Sequence, residues 1–293
     1  MELNYFVVDV FTGTVLTGNP LAVVMNTAGL STERMQAIAR EFNLSETTFV
    51  ERRPLDVERA EGVRVRIFTT QEELPFAGHP TLGTASVLKI HAPETVDAGV
   101  VRLALNVGPV PVRFAGGDLF GAMTQRDPEF GAELESAEVA RLTGLDEGDL
   151  DPGLPPQVVS TGNAFAIVVL RSDEALARLK VDQDAATEWL RARNARWFYV
   201  LGPVRGQAGA WRARMQFYGG EDPATGSAAG CAISYLVQRG AVAPGEAIGL
   251  RQGVEIGRPS DMVLSAQVRE ARLTEVSVAG STVLVAKVQL FLP

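Results

Sequence analysis

The chain has 293 residues, 46% of them hydrophobic, which is enough to bury two cores of ordinary domain size. Its 35 acids against 27 bases give a formal net charge of −8, and no Lys/Arg block stands out, so a nucleic-acid partner is not expected. A single cysteine, Cys231, excludes an intrachain disulfide and a multi-cysteine metal site, and His79 and His91 fit no metal-ligand spacing, so no metal is expected.

In chain order, Tyr5 to Phe11 reads as a strand from its β-branched and aromatic residues. Its N-terminal flank has no basic leader pattern, and no later stretch approaches the roughly 18 uncharged apolar residues of a membrane span; a cytoplasmic protein with no membrane partner is expected. Thr17-Gly18-Asn19-Pro20 is a turn and Leu21 to Met25 a second strand. Ser31 caps a helix that carries Met35, Ile38 and Ala39 at helical spacing and ends near Phe42-Asn43. In Leu44 to Val50, a period of two puts Leu44, Glu46, Thr48 and Val50 on one face. Glu46 is then either a sheet-surface residue or an acid set among apolar neighbours, which would favour its neutral form.

Arg64 to Thr69 is a strand leading into Pro75-Phe76-Ala77-Gly78-His79-Pro80-Thr81, a tight glycine turn and a helix start. Thr81 to Ile90 run small and apolar with no charge before Lys89, so the helix should be buried. Its free N-terminal N–H groups would seat a carboxylate or phosphate, with His79 at the seat. A helix N-terminal histidine tied to a backbone carbonyl would read the same. Val100 to Val107 and Val110 to Phe114 are strands bounded by Gly108-Pro109 and Gly116-Gly117-Asp118, and the Gly116-Gly117 pair marks the boundary between lobes.

The second half repeats the plan. Helices are expected over Ser136 to Leu142 and Asp182 to Arg193. Strands are expected over Gln157 to Gly162, Phe165 to Leu170, Trp197 to Leu201 and Trp211 to Tyr218. Asp222-Pro223-Ala224-Thr225-Gly226-Ser227-Ala228 again gives a turn and a small-residue apolar helix, with Cys231 as a packed core thiol inside it. Thr17-Gly18-Asn19 recurs as Thr161-Gly162-Asn163, and Arg64-x-Arg66 and Arg212-x-Arg214 stand equally far ahead of Gly78 and Gly226. Three patterns in one order argue for a duplicated domain. The lobes would span 1–117 and 118–280, facing each other across a cleft. After strands over Leu264 to Val268 and Glu275 to Val278, the terminal strand, within 281–293, would return to the first lobe.

No Walker loop, no GxGxxG opening a helix and no GxSxG nucleophile elbow is present. What remains is Glu46, His79, Asp222 and two helix N-termini. Helix N-termini aimed into one cleft would hold a carboxylated ligand through backbone N–H groups, with Ser227 adding its hydroxyl. Asp222 could accept from an amine or hydroxyl, although Asp before Pro is also a common turn signal. The natural reaction is proton transfer at carbon without a cofactor: isomerisation, epimerisation or tautomerisation. A non-catalytic binder of small carboxylates would keep the same seat.

Five motifs then stand in order: Gly18-Asn19-Pro20-Leu21-Ala22-Val23, Glu41 to Thr47, Glu73 to Thr81, Glu221 to Ala228, and Gln252-Gly253-x4-Arg258-Pro259-Ser260. Together they resemble the phenazine-biosynthesis PhzF-like family of isomerases, from the N-terminus to the last strands. The resemblance implies the diaminopimelate-epimerase-like α+β fold, two pseudo-symmetric lobes of curved antiparallel sheet, each wrapped around a buried helix, with the active site between them. It implies Glu46 as general acid/base, His79 and Asp222 as substrate-binding residues, and Gly78, Gly226 and Ser227 as the anion seat. It also implies a biosynthetic isomerase that needs no cofactor, and a homodimer. Related two-thiol epimerases and racemases carry a cysteine at the start of each buried helix, where this chain has Gly78 and Gly226. Two-thiol racemisation is therefore disfavoured, since the pair of opposed bases is missing; an epimerase or racemase of an amino-acid-like substrate is kept as the alternative reading, and the substrate is left open.

Overall fold

The structure is a computed structural model that describes residues 2–115, 117–217 and 220–292. The fold is mixed α+β and mostly sheet. The chain forms two compact units, Met1–Thr124 with Ala279–Pro293, and Gln125–Val278. The division thus falls later than the Gly116-Gly117 pair, of which Gly116 lies outside the described residues. The physical reason is a short strand after that pair: Gly121–Thr124 still pairs with Gly108–Phe114, in the register Val112↔Met123, so it stays with the first unit.

The first unit opens with β1 (Glu2–Val10) and β2 (Asn19–Val24), an antiparallel pair. Asn19 and Pro20 belong to β2 rather than to the turn, because they pair with Val10 and Asp9. α1 (Thr32–Phe42) follows, with the Ser31 hydroxyl accepting from Arg34 N and Asn43 closing it in the left-handed region. Its Met35, Ile38 and Ala39 pack with Leu3, Val24, Phe49 and Phe68. Next come β3 (Glu46–Glu51), α2 (Leu55–Glu61), β4 (Val63–Phe68) and the short β5 (Glu73–Leu74). α2 has no counterpart in the expectations above. Its Glu58 is buried, and takes a fork from Arg52 at 2.9 and 3.1 Å plus the Arg53 N–H, which is why a charged side chain is tolerated inside.

α3 (Gly78–His91) is the axis of the unit, buried from Gly78 to Leu88. It packs on β1, β2 and β3 and on the strands after it: β6 (Val96–Asp97) precedes β7 (Val100–Leu105), β8 (Gly108–Phe114) and β9 (Gly121–Thr124). Gly108 and Pro109 are part of β8, paired with Leu105 and Ala104, so the hairpin turns at Asn106-Val107. Gly83 is where α3 touches the sheet: a Cβ there would lie 2.6 Å from a Leu21 methyl and 2.8 Å from a Val10 methyl. Gly83→Ala should therefore destabilise the fold by about 1–3 kcal/mol through overpacking, read from urea denaturation.

The second unit contains β10 (Glu129–Glu133), α4 (Ser136–Thr143), β11 (Gln157–Ser160), β12 (Ala164–Val169), α5 (Gln183–Arg191), β13 (Trp197–Pro203) and β14 (Ala210–Arg214). The short β15 (Gln216–Phe217) and β16 (Gly220–Glu221) lead into α6 (Gly226–Gln238), buried from Gly226 to Val237. β17 (Ile248–Gln252), β18 (Ser260–Arg269) and β19 (Arg272–Gly280) follow. α6 packs on β11, β12 and β18. The last strand, β20 (Thr282–Phe291), belongs to the first unit, where it pairs antiparallel with β1.

The sheets are not purely antiparallel. Parallel steps occur at β2–β3 and β4–β7 in the first unit, and at β12–β13 and β14–β17 in the second. Each spans a helix in sequence: α1, α3, α5 and α6. Parallel neighbours require such a crossover, and in each unit the second crossover contains the buried helix itself. Among the described residues, no helix is long and apolar enough to cross a membrane.

Candidate active site

In the first unit, Glu46 and His79 come together. Glu46 opens β3 beside Leu21 of β2, and period two puts it on the face that also carries Thr48. That face looks onto α3, since Thr48 Oγ1 lies 2.8 Å from Thr84 Oγ1. One and a half turns toward the helix start, His79 Nε2 lies 3.4 Å from Glu46 Oε2, the histidine 4% and the glutamate 16% exposed.

Asn19 Nδ2 lies 3.1 Å from His79 Nδ1. Donation from the amide makes Nδ1 the acceptor, so the ring proton sits on Nε2 and faces Glu46. Burial pushes the imidazole down to about 3 from its ordinary 6.5, so His79 is neutral near pH 7, and its buried Nε2, though 3.4 Å from Glu46 Oε2, makes no hydrogen bond among the described residues. Sequence reasoning placed Asn19 in a turn. The recurrence of Thr-Gly-Asn, and the place of Asn19 in the first of the five family motifs, were the signals that it did more.

The histidine makes a pH prediction. Its folded-state pKa lies below the unfolded value, so between pH 6.5 and about 3 the unfolded chain carries a proton that the folded chain does not. Stability is full above 6.5 and falls with pH below it, by up to ~1.4 kcal/mol per pH unit from this group. Urea midpoints at pH 7, 6, 5 and 4 should show that slope, and His79→Gln should flatten it. An equal slope in the variant would assign the acid loss to other groups.

In the second unit, Asp222, Gly226 and Ser227 lie within one turn of chain. Gly226 and Ser227 are the first residues of α6, and the first intrahelical bond runs from Ala229 N to Thr225 O at 2.9 Å. Gly78 is likewise the first residue of α3, where the Thr81 N–H bonds to Ala77 O at 3.3 Å. Neither helix has a side-chain N-cap bond. Thr225, at the cap of α6, turns its hydroxyl to Asp222 Oδ2 at 2.7 Å instead. Behind the helix start, Gln125 Nε2 donates to Gly226 O at 2.8 Å, and Thr161 Oγ1 donates to Gln125 Oε1 at 2.6 Å.

Each glycine turn is tied down by an ion pair that the sequence reading missed. Arg66 forks onto Glu73 at 2.8 and 2.6 Å, and Arg214 forks onto Glu221 at 2.9 and 2.6 Å. The arginines stood out as a repeated pattern. Their partners stand five residues ahead of Gly78 and Gly226 alike, a signal available in the sequence.

Cys231 is buried in α6, and burial pushes its thiol up to about 11. It is therefore protonated near neutrality, in contact with Thr161 Oγ1 at 3.5 Å.

The comparisons with known proteins agree on a family. The one described as phenazine biosynthesis-like protein (PhzC-PhzF) matches residues 8–288. A trans-2,3-dihydro-3-hydroxyanthranilate isomerase of Pseudomonas fluorescens is 36% identical over 286 residues, 96% of each chain. An uncharacterized isomerase of Mesorhizobium japonicum is 36% identical over 315 residues, 99% of each chain. Among solved structures, a predicted epimerase of Pseudomonas aeruginosa superimposes with a TM-score of 0.83 at 34% identity, covering 99% of this chain and 100% of that one. The chain is an isomerase-class enzyme. It belongs to the phenazine biosynthesis-like PhzF family.

Proposed function

We propose that this chain isomerises a small carboxylated metabolite that bears an amine or hydroxyl, by moving one proton between carbons without a cofactor. Glu46 takes the proton from carbon beside the acidifying group and returns it at another carbon, so a double bond shifts and nothing else is gained or lost. The observation that carries this reading is the pairing of Glu46 with a buried, neutral histidine at 3.4 Å. A neutral imidazole at that distance leaves the glutamate its basicity, which an imidazolium would quench. As the family resemblance implies, His79 and Asp222 are assigned to binding and orienting the substrate. The N–H groups at Gly78 in α3, and at Gly226 and Ser227 in α6, each offer a seat for a carboxylate, as helix N-termini favour anions.

The relative named for trans-2,3-dihydro-3-hydroxyanthranilate makes that compound the first to test. Incubated with the enzyme in D₂O, it should yield a product with one deuterium on carbon and a changed ultraviolet spectrum. Turnover without deuterium uptake would still fit direct transfer of the same proton. No turnover of this compound or of any small carboxylate bearing an amine or hydroxyl would sink the reading. A non-catalytic binder would show affinity with no exchange.

The second reading, epimerisation, is favoured by the name of one relative, a predicted epimerase. It predicts loss of optical rotation with an unchanged spectrum. The protonated, buried Cys231 speaks against the thiolate version of that chemistry.

A further inference from the structure

No step above uses Gln252-Gly253 or the Arg258-Pro259-Ser260 that follows. Gln252 ends β17, pairs with Ser260 of β18, and is fully buried. Its amide is saturated. Oε1 accepts from Thr225 N at 3.1 Å and from the Tyr199 hydroxyl at 2.9 Å. Nε2 donates to Asp222 O at 2.8 Å and to Thr225 Oγ1 at 3.0 Å.

A peptide N–H can only donate and a carbonyl can only accept, so the Gln252 amide has one possible orientation. The consequence passes along the chain of bonds. Thr225 Oγ1 receives the Nε2–H and has one proton to give, which goes to Asp222 Oδ2 at 2.7 Å. An ionised carboxylate accepts only, and such charge-assisted bonds are the stronger kind.

Gly253 adds a backbone constraint. Its φ is +77°, and a Cβ there would fall 2.3 Å from Arg258 O and 2.7 Å from Pro223 O. The Gly253 backbone therefore packs directly against Pro223, the neighbour of Asp222, and Arg258 N closes the turn onto Gly253 O at 2.9 Å.

We infer that Gln252 is a positioning residue: acting through the Thr225 hydroxyl, it fixes the Asp222 carboxylate, while Gly253 seats the Pro223 backbone. The inference rests on the reading of Asp222 as substrate-binding. Its benefit is preorganisation, which appears in affinity rather than in the chemical step.

The test compares Thr225→Val, Thr225→Ser, Gln252→Glu and Asp222→Asn, with trans-2,3-dihydro-3-hydroxyanthranilate as the probe. Thr225→Val removes the hydroxyl at nearly constant shape, and Gln252→Glu removes the Nε2 donor. Each should raise KM about tenfold or more with kcat within about twofold, and Thr225→Ser should restore the wild-type KM. A purely structural role would lower thermal stability and leave the KM of the folded enzyme alone. Gln252→Glu places a second carboxylate in a buried site and is the variant at risk of misfolding, so Thr225→Val carries the decision. An unchanged KM in Thr225→Val, while Asp222→Asn raises it, overturns the inference and leaves the functional reading standing. An unchanged KM in Asp222→Asn removes Asp222 from substrate binding and the inference with it. If the probe is not turned over by the wild type, crystal structures decide: an Asp222 carboxylate displaced in Thr225→Val supports positioning, and an unmoved one overturns it.

Discussion

Glu46→Gln is expected to lower turnover by about 10²–10⁴-fold or more while leaving substrate affinity within a few-fold of wild type. The carboxamide keeps the size and shape of the carboxylate, so the local packing at the start of β3 survives. What it loses is the ability to take a proton from carbon and hand it back. Deuterium uptake from D₂O should disappear in parallel with turnover, since both depend on the same transfer. Unchanged turnover would remove Glu46 from the mechanism. Glu46→Asp should fall between the two, because it keeps the acid but withdraws it toward the β3 backbone, and near-attack geometry is lost with small displacements.

Glu221→Gln is expected to be the most destabilising of the single polar substitutions, by about 3–5 kcal/mol in chemical denaturation. Arg214 and Glu221 are 9% and 6% exposed at the side chain and meet as a two-pronged fork. Removing one partner leaves the other charge in a site with little water. Arg214 keeps its bond to Leu176 O at 2.6 Å and a more distant neighbour in Glu255 at 3.8 Å, so part of the loss is recovered. Replacing both residues with apolar ones of similar volume should cost less than either single change. The matching pair in the first unit, Arg66–Glu73, is 16% and 22% exposed, and Glu73→Gln should cost less because water screens what remains. Equal losses at the two sites would mean that burial does not set the scale. Glu221 also adjoins Asp222, so its variant should weaken substrate binding beyond its effect on stability.

The elements most legible in the sequence were those whose signal is local. α1 was readable because a capping serine and a periodic apolar stripe act within a few residues of each other. The buried character of α3 and α6 was readable because a helix without a polar face has nowhere else to go. α2 was missed because its stability comes from a buried Glu58 held by Arg52, a contact made by folding rather than a pattern in the chain. The Gly108-Pro109 pair looked like a turn and is strand, since its neighbours in β7 overrule its composition.

The candidate site divides in the same way. Residue types and motif order put forward Glu46, His79, Gly78, Asp222, Gly226 and Ser227 as candidates, because a helix start, a glycine turn and a lone acid on an apolar face are statements about short stretches. Only the tertiary structure decided that Glu46 faces His79, since they stand 33 positions apart and meet because β3 lies against α3. It likewise decided that Asn19 sets the tautomer of His79 and that Gln252 reaches back 30 residues to Asp222. Such hydrogen bonds leave no trace in periodicity or composition: they depend on which strand is neighbour to which helix, and that is settled by the packing of the whole unit.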